Sequence, residues 1–179
     1  MIFKTTEYLN PMVSVDYQEP IVRNARHTSR IELSQSAVKK NINFLKSLLQ
    51  PNTELSSVVK ANAYGHGIPQ MVKLLEKAGV HHFSVASAYE AEEVHAFFSP
   101  DSEIMIMGIL YDEDIPLIIE HDIQFYVFNY RRLPLILEEA RRRKKKARIH
   151  IEVETGINRT GMKWDSFEST LTFLKRNRE

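Results

Sequence analysis

Ten consecutive residues, Val58-Val59-Lys60-Ala61-Asn62-Ala63-Tyr64-Gly65-His66-Gly67, set a lysine at the end of an apolar run and follow it at once with a glycine-punctuated polar turn. A lysine so placed has its stem among apolar neighbours and its amine at the mouth of a strand, where lost hydration disfavours the ammonium form. Such an amine can attack a carbonyl carbon. Tyr64 adds a hydroxyl and His66 an imidazole, while Gly65 and Gly67 let backbone approach a ligand closely, a set suited to an anionic group such as a phosphate. The chemistry expected is a Schiff base between Lys60 and an aldehyde cofactor. A lone lysine at a strand end is ordinarily a solvated surface group; the surrounding residue types and their spacing favour a site here.

A second constellation follows downstream. His150-Ile151-Glu152-Val153-Glu154 alternates polar and apolar residues and runs into Thr155-Gly156-Ile157-Asn158-Arg159-Thr160-Gly161-Met162. Strand periodicity puts His150, Glu152 and Glu154 on one face and Ile149, Ile151 and Val153 on the other. Ionisable groups lining an interior need partners, and Arg159 is the expected partner of Glu152 or Glu154. Its planar guanidinium could also bind a phenolate or a substrate carboxylate. His150 reads as a satisfied core histidine.

These residues need a scaffold, and the pattern supplies one. Residues 1–27 show neither period and read as an irregular lead-in. A short strand is expected at 28–33, then a helix capped by Ser34 with Val38, Ile42, Leu45 and Leu49 on one face, closed by Pro51. Strands are expected at 55–60, 82–86, 104–108, 123–128 and 148–154, and helices at 69–78, 89–98, 112–121, 131–146 and 164–176. Repeated βα units imply a parallel sheet, doubly wound or closed into a barrel. The fold class is α/β. Both motifs fall at the C-terminal ends of strands, where a (β/α)8 barrel of the TIM type carries its active site. About five strands make only part of such a barrel, so the chain is expected to be a fragment of a longer protein.

Composition narrows the function classes. Lys and Arg total 24 against 23 Asp and Glu, which gives no global charge signal for nucleic acid or anionic membrane. The basic run 141–146 ends an expected helix, where positive charge suits the dipole. With no cysteine, a thiolate metal site or nucleophile is excluded, and His81-His82 lacks metal-ligand spacing, so no metal is expected. Neither a membrane-length apolar run nor a secretion signal is present, and the protein is read as cytoplasmic.

The two motifs together resemble the bacterial alanine racemase family, fold-type III pyridoxal-phosphate enzymes with a barrel domain and a separate β-rich C-terminal domain. The likeness runs over about 28–162 and includes Phe83-Ser84-Val85-Ala86-Ser87 and Glu90-Ala91-Glu92-Glu93. It implies that 28–179 is the N-terminal portion of the barrel domain, and that Lys60 forms the internal aldimine with pyridoxal 5'-phosphate and serves as one acid/base group. It also implies that Tyr64 bonds the cofactor phosphate and that Arg159 contacts the cofactor's phenolic oxygen and the substrate carboxylate, with Glu152 and His66 in support. The implied reaction interconverts L- and D-alanine, supplying D-amino acid for cell-wall peptide, in a homodimer.

This chain departs from the pattern at Glu152, where alanine racemases often carry a carbamylated lysine; a glutamate would offer a permanent carboxylate to Arg159. The family's second acid/base tyrosine, the arginine facing the pyridine nitrogen and further phosphate ligands have no counterpart in 1–179, so these residues alone are expected to be inactive. A decarboxylase on the same barrel and a non-catalytic pyridoxal-phosphate-binding protein are the alternatives.

Overall fold

The computed structural model describes residues 29–178; the lead-in expected at 1–27 lies outside the described residues. Both motifs belong to the compact unit spanning residues 33–179. The strand expected at 28–33 is not formed: 29–33 are irregular, and no described strand pairs with them. An extended segment without a ladder partner has nothing to fix it as a strand.

Five parallel strands form one sheet, β1 (Ser56–Val58), β2 (His82–Val85), β3 (Glu103–Ile106), β4 (Gln124–Val127) and β5 (Ile149–Ile151), in the order β1-β2-β3-β4-β5. Each crossover moves one position in the same direction. A doubly wound sheet would reverse its order at a switch point, so this topology is the barrel alternative, with five of its strands. The helices are α1 (Gln35–Ser47), α2 (Ile68–Lys77), α3 (Ala88–His95), α4 (Ile115–Glu120), α5 (Leu133–Arg143) and α6 (Trp164–Arg176).

Local chemistry explains the helix starts. The Ser34 hydroxyl accepts from the Ala37 N–H at 3.3 Å and caps α1. Pro69, Pro116 and Pro134 stand in the first turns of α2, α4 and α5, where the missing N–H costs nothing. The α5 helix stops at Arg143 rather than continuing to 146, because Lys144 turns left-handed at φ 56°. Three of the six basic residues there are charge-paired among the described residues: Arg142 to Glu139 at 2.7 Å, Arg143 to Glu120 at 3.1 Å, Lys145 to Asp122 at 3.7 Å.

Register sorts the strand residues onto two faces. Phe83 pairs with Ile104, Ile106 with Phe125, Phe125 with Ile149, and Val127 with Ile151. This face packs on the helices through Val72, Leu75, Ile118, Ile119, Leu133 and Ile136 in one core. Each such side chain contributes about 1.5–3 kcal/mol on burial. The opposite face is largely polar, with His82 beside Glu103, Met105 beside Gln124, and Tyr126 beside His150. Among the described residues, no helix is long and apolar enough to cross a membrane.

Candidate active site

Strand β1 ends at Val58, and buried Val59 anchors the chain through its N–H, which donates to the Ser84 carbonyl at 2.9 Å. Lys60 follows, half-buried. From here the backbone makes a turn of left-handed helix, with φ of 52° at Ala61, Asn62 and Ala63 and 54° at Tyr64. Left-handed conformation costs an L-residue roughly 1–2 kcal/mol, and four in succession persist only where surroundings over-determine them.

The hydrogen bonds that do so are on hand. The Ala63 N–H donates to Val59 O at 2.8 Å, and the Gly67 N–H to Asn62 O at 2.9 Å. The Asn62 side chain closes the turn by accepting the Ile68 N–H on Oδ1 at 2.9 Å. Gly65 and Gly67 take φ of 86° and 90°, so the glycines first serve to complete this left-handed path.

The remaining anchor comes from another βα unit. The sequence Ser87-Ala88-Tyr89-Glu90 is a capping-box pattern at the start of α3, and the Ser87 hydroxyl accepts the Glu90 N–H at 3.3 Å. The Glu90 carboxylate does not return the bond to Ser87. Its Oε2 accepts the Ala86 N–H and its Oε1 the Ala61 N–H, each at 2.7 Å. Glu90 was recognised in the sequence only as part of a helix start; Asn62 likewise carried no role of its own.

Tyr64 is 61% exposed and His66 is also exposed. Among the described residues, neither side chain nor the Lys60 amine has a hydrogen-bond or ion-pair partner. The tips of this turn are therefore available to an external group.

Beyond β5 the chain returns on itself. Met162 bridges Val153, the Met162 N–H donating to Glu152 O at 2.7 Å and the Glu154 N–H to Met162 O at 3.0 Å. Gly161 makes this closure possible at φ 118°, where an added Cβ would lie 2.6 Å from the Glu154 nitrogen. The exposed Glu154 carboxylate accepts the Gly156 N–H, and the backbone N–H groups of Asn158 and Gly156 hold its carboxyl below the usual range.

The expected pairing of Arg159 with Glu152 or Glu154 is not formed. Arg159 is exposed, and no ion pair among the described residues involves it. Glu152 instead accepts the Thr160 hydroxyl on Oε1 at 2.9 Å, while its buried Oε2 has no partner. The Gly161 closure brings Thr160, rather than Arg159, to the carboxylate. No sequence signal marked Thr160.

The polar face beneath is a connected layer. Gln124 Nε2 donates to Glu103 Oε2 at 2.7 Å and to His82 Nε2 at 3.2 Å, so neutral His82 carries its proton on Nδ1 and donates to Ser56 Oγ at 2.7 Å. Ser56 then donates to Ser84 at 2.6 Å, and His150 Nε2 donates to Gln124 Oε1 at 2.6 Å. Arg148 closes on Glu103 at 2.7 Å. His150 is thus satisfied as expected but exposed rather than in the core. Partial desolvation first, then repulsion from His82 in its protonated form and from Arg148, push its imidazole below the ordinary range. Ser56 lies four residues before Lys60, about 13 Å down the strand at 3.3 Å per residue, so this layer supports the sheet from below the site.

Lys60 and Arg159 share the C-terminal end of the sheet but follow its two edge strands. In an eight-stranded barrel the first and fifth strands stand opposite each other, and the two loops face across the mouth. Closed into such a barrel, this sheet order would set the amine and the guanidinium on opposing walls of one opening.

Comparison with known proteins gives concordant matches. The family described as alanine racemase, N-terminal domain, matches residues 33–179. An alanine racemase of Methanococcus maripaludis is 31% identical over 153 residues, 86% of this chain and 40% of its own length. Among solved structures, alanine racemase from E. faecalis aligns with a TM-score of 0.73 at 27% identity, covering 80% of this chain and 39% of that one. A histidine racemase from Leuconostoc mesenteroides subsp. sake aligns with a TM-score of 0.74 at 25% identity, covering 81% and 39%. The chain spans 34–40% of the length of the curated relatives it matches.

Proposed function

The chain belongs to the alanine racemase N-terminal domain family, and on that premise we propose that Lys60 is the covalent attachment point of pyridoxal 5'-phosphate in an amino-acid racemase. The observation that carries this reading is the rigid left-handed turn presenting a half-buried amine with an exposed, unpartnered phenol four residues on. The donor set fits a phosphorylated aldehyde. Lys60 would hold the aldehyde carbon, Tyr64 would donate to the phosphate, and His66, exposed on the same turn, would support that end. Arg159, from the opposite wall, would bind the phenolic oxygen and the substrate carboxylate. Glu152 steadies the Arg159 loop through Thr160.

When bound, the cofactor supplies an electron sink for the charge left as the α-proton departs. Lys60 would be the group that takes or returns that proton on one face. Inversion also requires an acid/base group on the other face. Residues 1–179 by themselves are expected to bind the cofactor weakly and not to racemise; turnover by them alone would contradict this.

The complete protein acts on alanine or a close relative, as a cytoplasmic homodimer supplying D-amino acid for cell-wall peptide. The test incubates it with L-alanine in deuterated water, with L-histidine in parallel because one structural relative is a histidine racemase. Deuterium at Cα together with the D-enantiomer supports the reading. Release of carbon dioxide would indicate a decarboxylase, and no exchange would leave a cofactor-binding protein.

A further inference from the structure

Glu90 lies outside the decapeptide, yet its carboxylate joins three parts of the site. One oxygen holds the N–H of Ala61, the peptide unit that leaves Lys60; the other holds the N–H of Ala86, just past β2. Both bonds are 2.7 Å, and both are charge-assisted. The other bonds that hold the left-handed turn are internal to residues 59–68, so they fix its shape but not its position on the sheet. Upstream, the Val59–Ser84 ladder bond ties the strand end to β2. At the peptide where the backbone switches hand, the tie to β2 and α3 is Glu90.

We propose that Glu90 is a positioning residue for Lys60, a carboxylate clamp that fixes the start of the left-handed turn and so the direction in which the amine leaves the sheet. The geometry assigns it to neither cofactor nor substrate. Without the clamp the turn keeps its internal bonds but can pivot about Val59, and the amine samples orientations that miss the aldehyde. The inference rests on Lys60 being the attachment point, and its test separates the two claims.

Residues 1–179 are equilibrated with graded pyridoxal 5'-phosphate, reduced with borohydride, and the fixed label is counted at each lysine by peptide mass. Exposed Lys39 and Lys73 serve as internal standards for unselective reaction. Wild type should label Lys60 at concentrations well below those needed for the standards. Glu90→Ala should raise the half-saturating concentration at Lys60 by about tenfold or more without changing the standards. Glu90→Gln keeps the volume and one acceptor oxygen, so it should fall between, while Glu92→Ala, at an exposed position on the same helix, should match wild type.

Amide hydrogen exchange supplies the second readout. Glu90→Ala should speed exchange at Ala61 and Ala86 by about tenfold or more while Ile106 in β3 stays protected, which a general loss of fold would not do. Selective labelling of Lys60 that is unchanged in both Glu90 variants overturns the clamp and leaves the attachment site standing. Labelling of Lys60 no better than Lys39 in wild type overturns the attachment site and this inference with it.

Discussion

The turn after β1 and the loop after β5 use similar residues at the same end of the sheet, a cationic side chain set among glycines, but they are held differently. Around Lys60 the anchors are backbone groups, the Asn62 amide oxygen and the Glu90 carboxylate, and among the described residues the Lys60 side chain itself is left unbonded. Around Arg159 the loop is pinned at its base by the Val153–Met162 bridge and by Glu154, while its tip, from Thr155 to Arg159, is exposed. A group that must form a covalent bond needs its backbone fixed to a fraction of an ångström; a guanidinium that closes on an anion can be brought into place by that anion. On the roles proposed for Lys60 and Arg159, the difference between an anchored turn and a base-pinned loop matches those two tasks.

The largest test of this contrast replaces the residues themselves. Lys60→Arg keeps the charge but removes the nucleophilic amine, and should abolish borohydride-fixed cofactor on that peptide. Arg159→Lys should retain fixation at Lys60 and weaken binding of an amino-acid carboxylate by roughly tenfold to a hundredfold, since one point charge replaces a fork of donors. Equal loss of fixation in both variants would mean that the two regions do not divide the labour as described.

Next in size is one substitution made in both places. Gly161→Ala forces a Cβ to within 2.6 Å of the Glu154 nitrogen at φ 118° and should cost about 2–4 kcal/mol in urea unfolding, with faster amide exchange at Glu154 and Met162. Gly65→Ala meets no atom within 4 Å, so its cost should be near the bare left-handed penalty of about 1 kcal/mol. A reversed order would place the more constrained backbone at Gly65.

A smaller effect concerns Glu152. Because its Oε1 is bonded to Thr160 and its Oε2 is buried without a partner, Glu152→Gln should change stability by less than about 1 kcal/mol, whereas Thr160→Val, which strands both oxygens, should cost about 1–2 kcal/mol. Matched losses would point to an ion pair with Arg159 in solution.

The smallest effects are those of pH. Glu154 is depressed in the folded chain by the backbone N–H groups of Asn158 and Gly156, so its contribution is present above the unfolded value of about 4.3 and is lost as pH falls through the folded one. The Gly156 amide resonance should move in that acid window. His150 is also depressed, by partial desolvation and then by repulsion from a protonated His82 and from Arg148, so protonation opposes folding. Its contribution is present above about pH 6.5 and declines as pH falls below it; His150→Asn should flatten that part of the stability profile.

Much of the scaffold was legible because its signals are local. Ser34 caps a helix through Ala37, prolines open three others, and apolar positions recur with strand or helix period, so element order came out right with ends displaced by a few residues. The expected strand at 28–33 failed because a strand needs a neighbour, which period alone does not supply. Residue type and spacing singled out Lys60, Tyr64, His66, Glu152 and Arg159 as candidates, but not the bonds each would make.

The sequence by itself determined the α/β alternation, the placing of both motifs at C-terminal strand ends, and the family to which they point. Only the tertiary structure decided that the sheet runs in barrel order, that the decapeptide turns left-handed, that Glu152 meets Thr160, and that Glu90 grips Ala61. The physical reason is range. A cap or a period acts over a few residues along the chain, whereas the Ala61–Glu90 bond spans 29 residues and the Gln124–His82 bond 42, and such pairs exist only once the strands have been set side by side. The lysine announces itself in its own neighbourhood; the carboxylate that aims it is recognisable only from across the sheet.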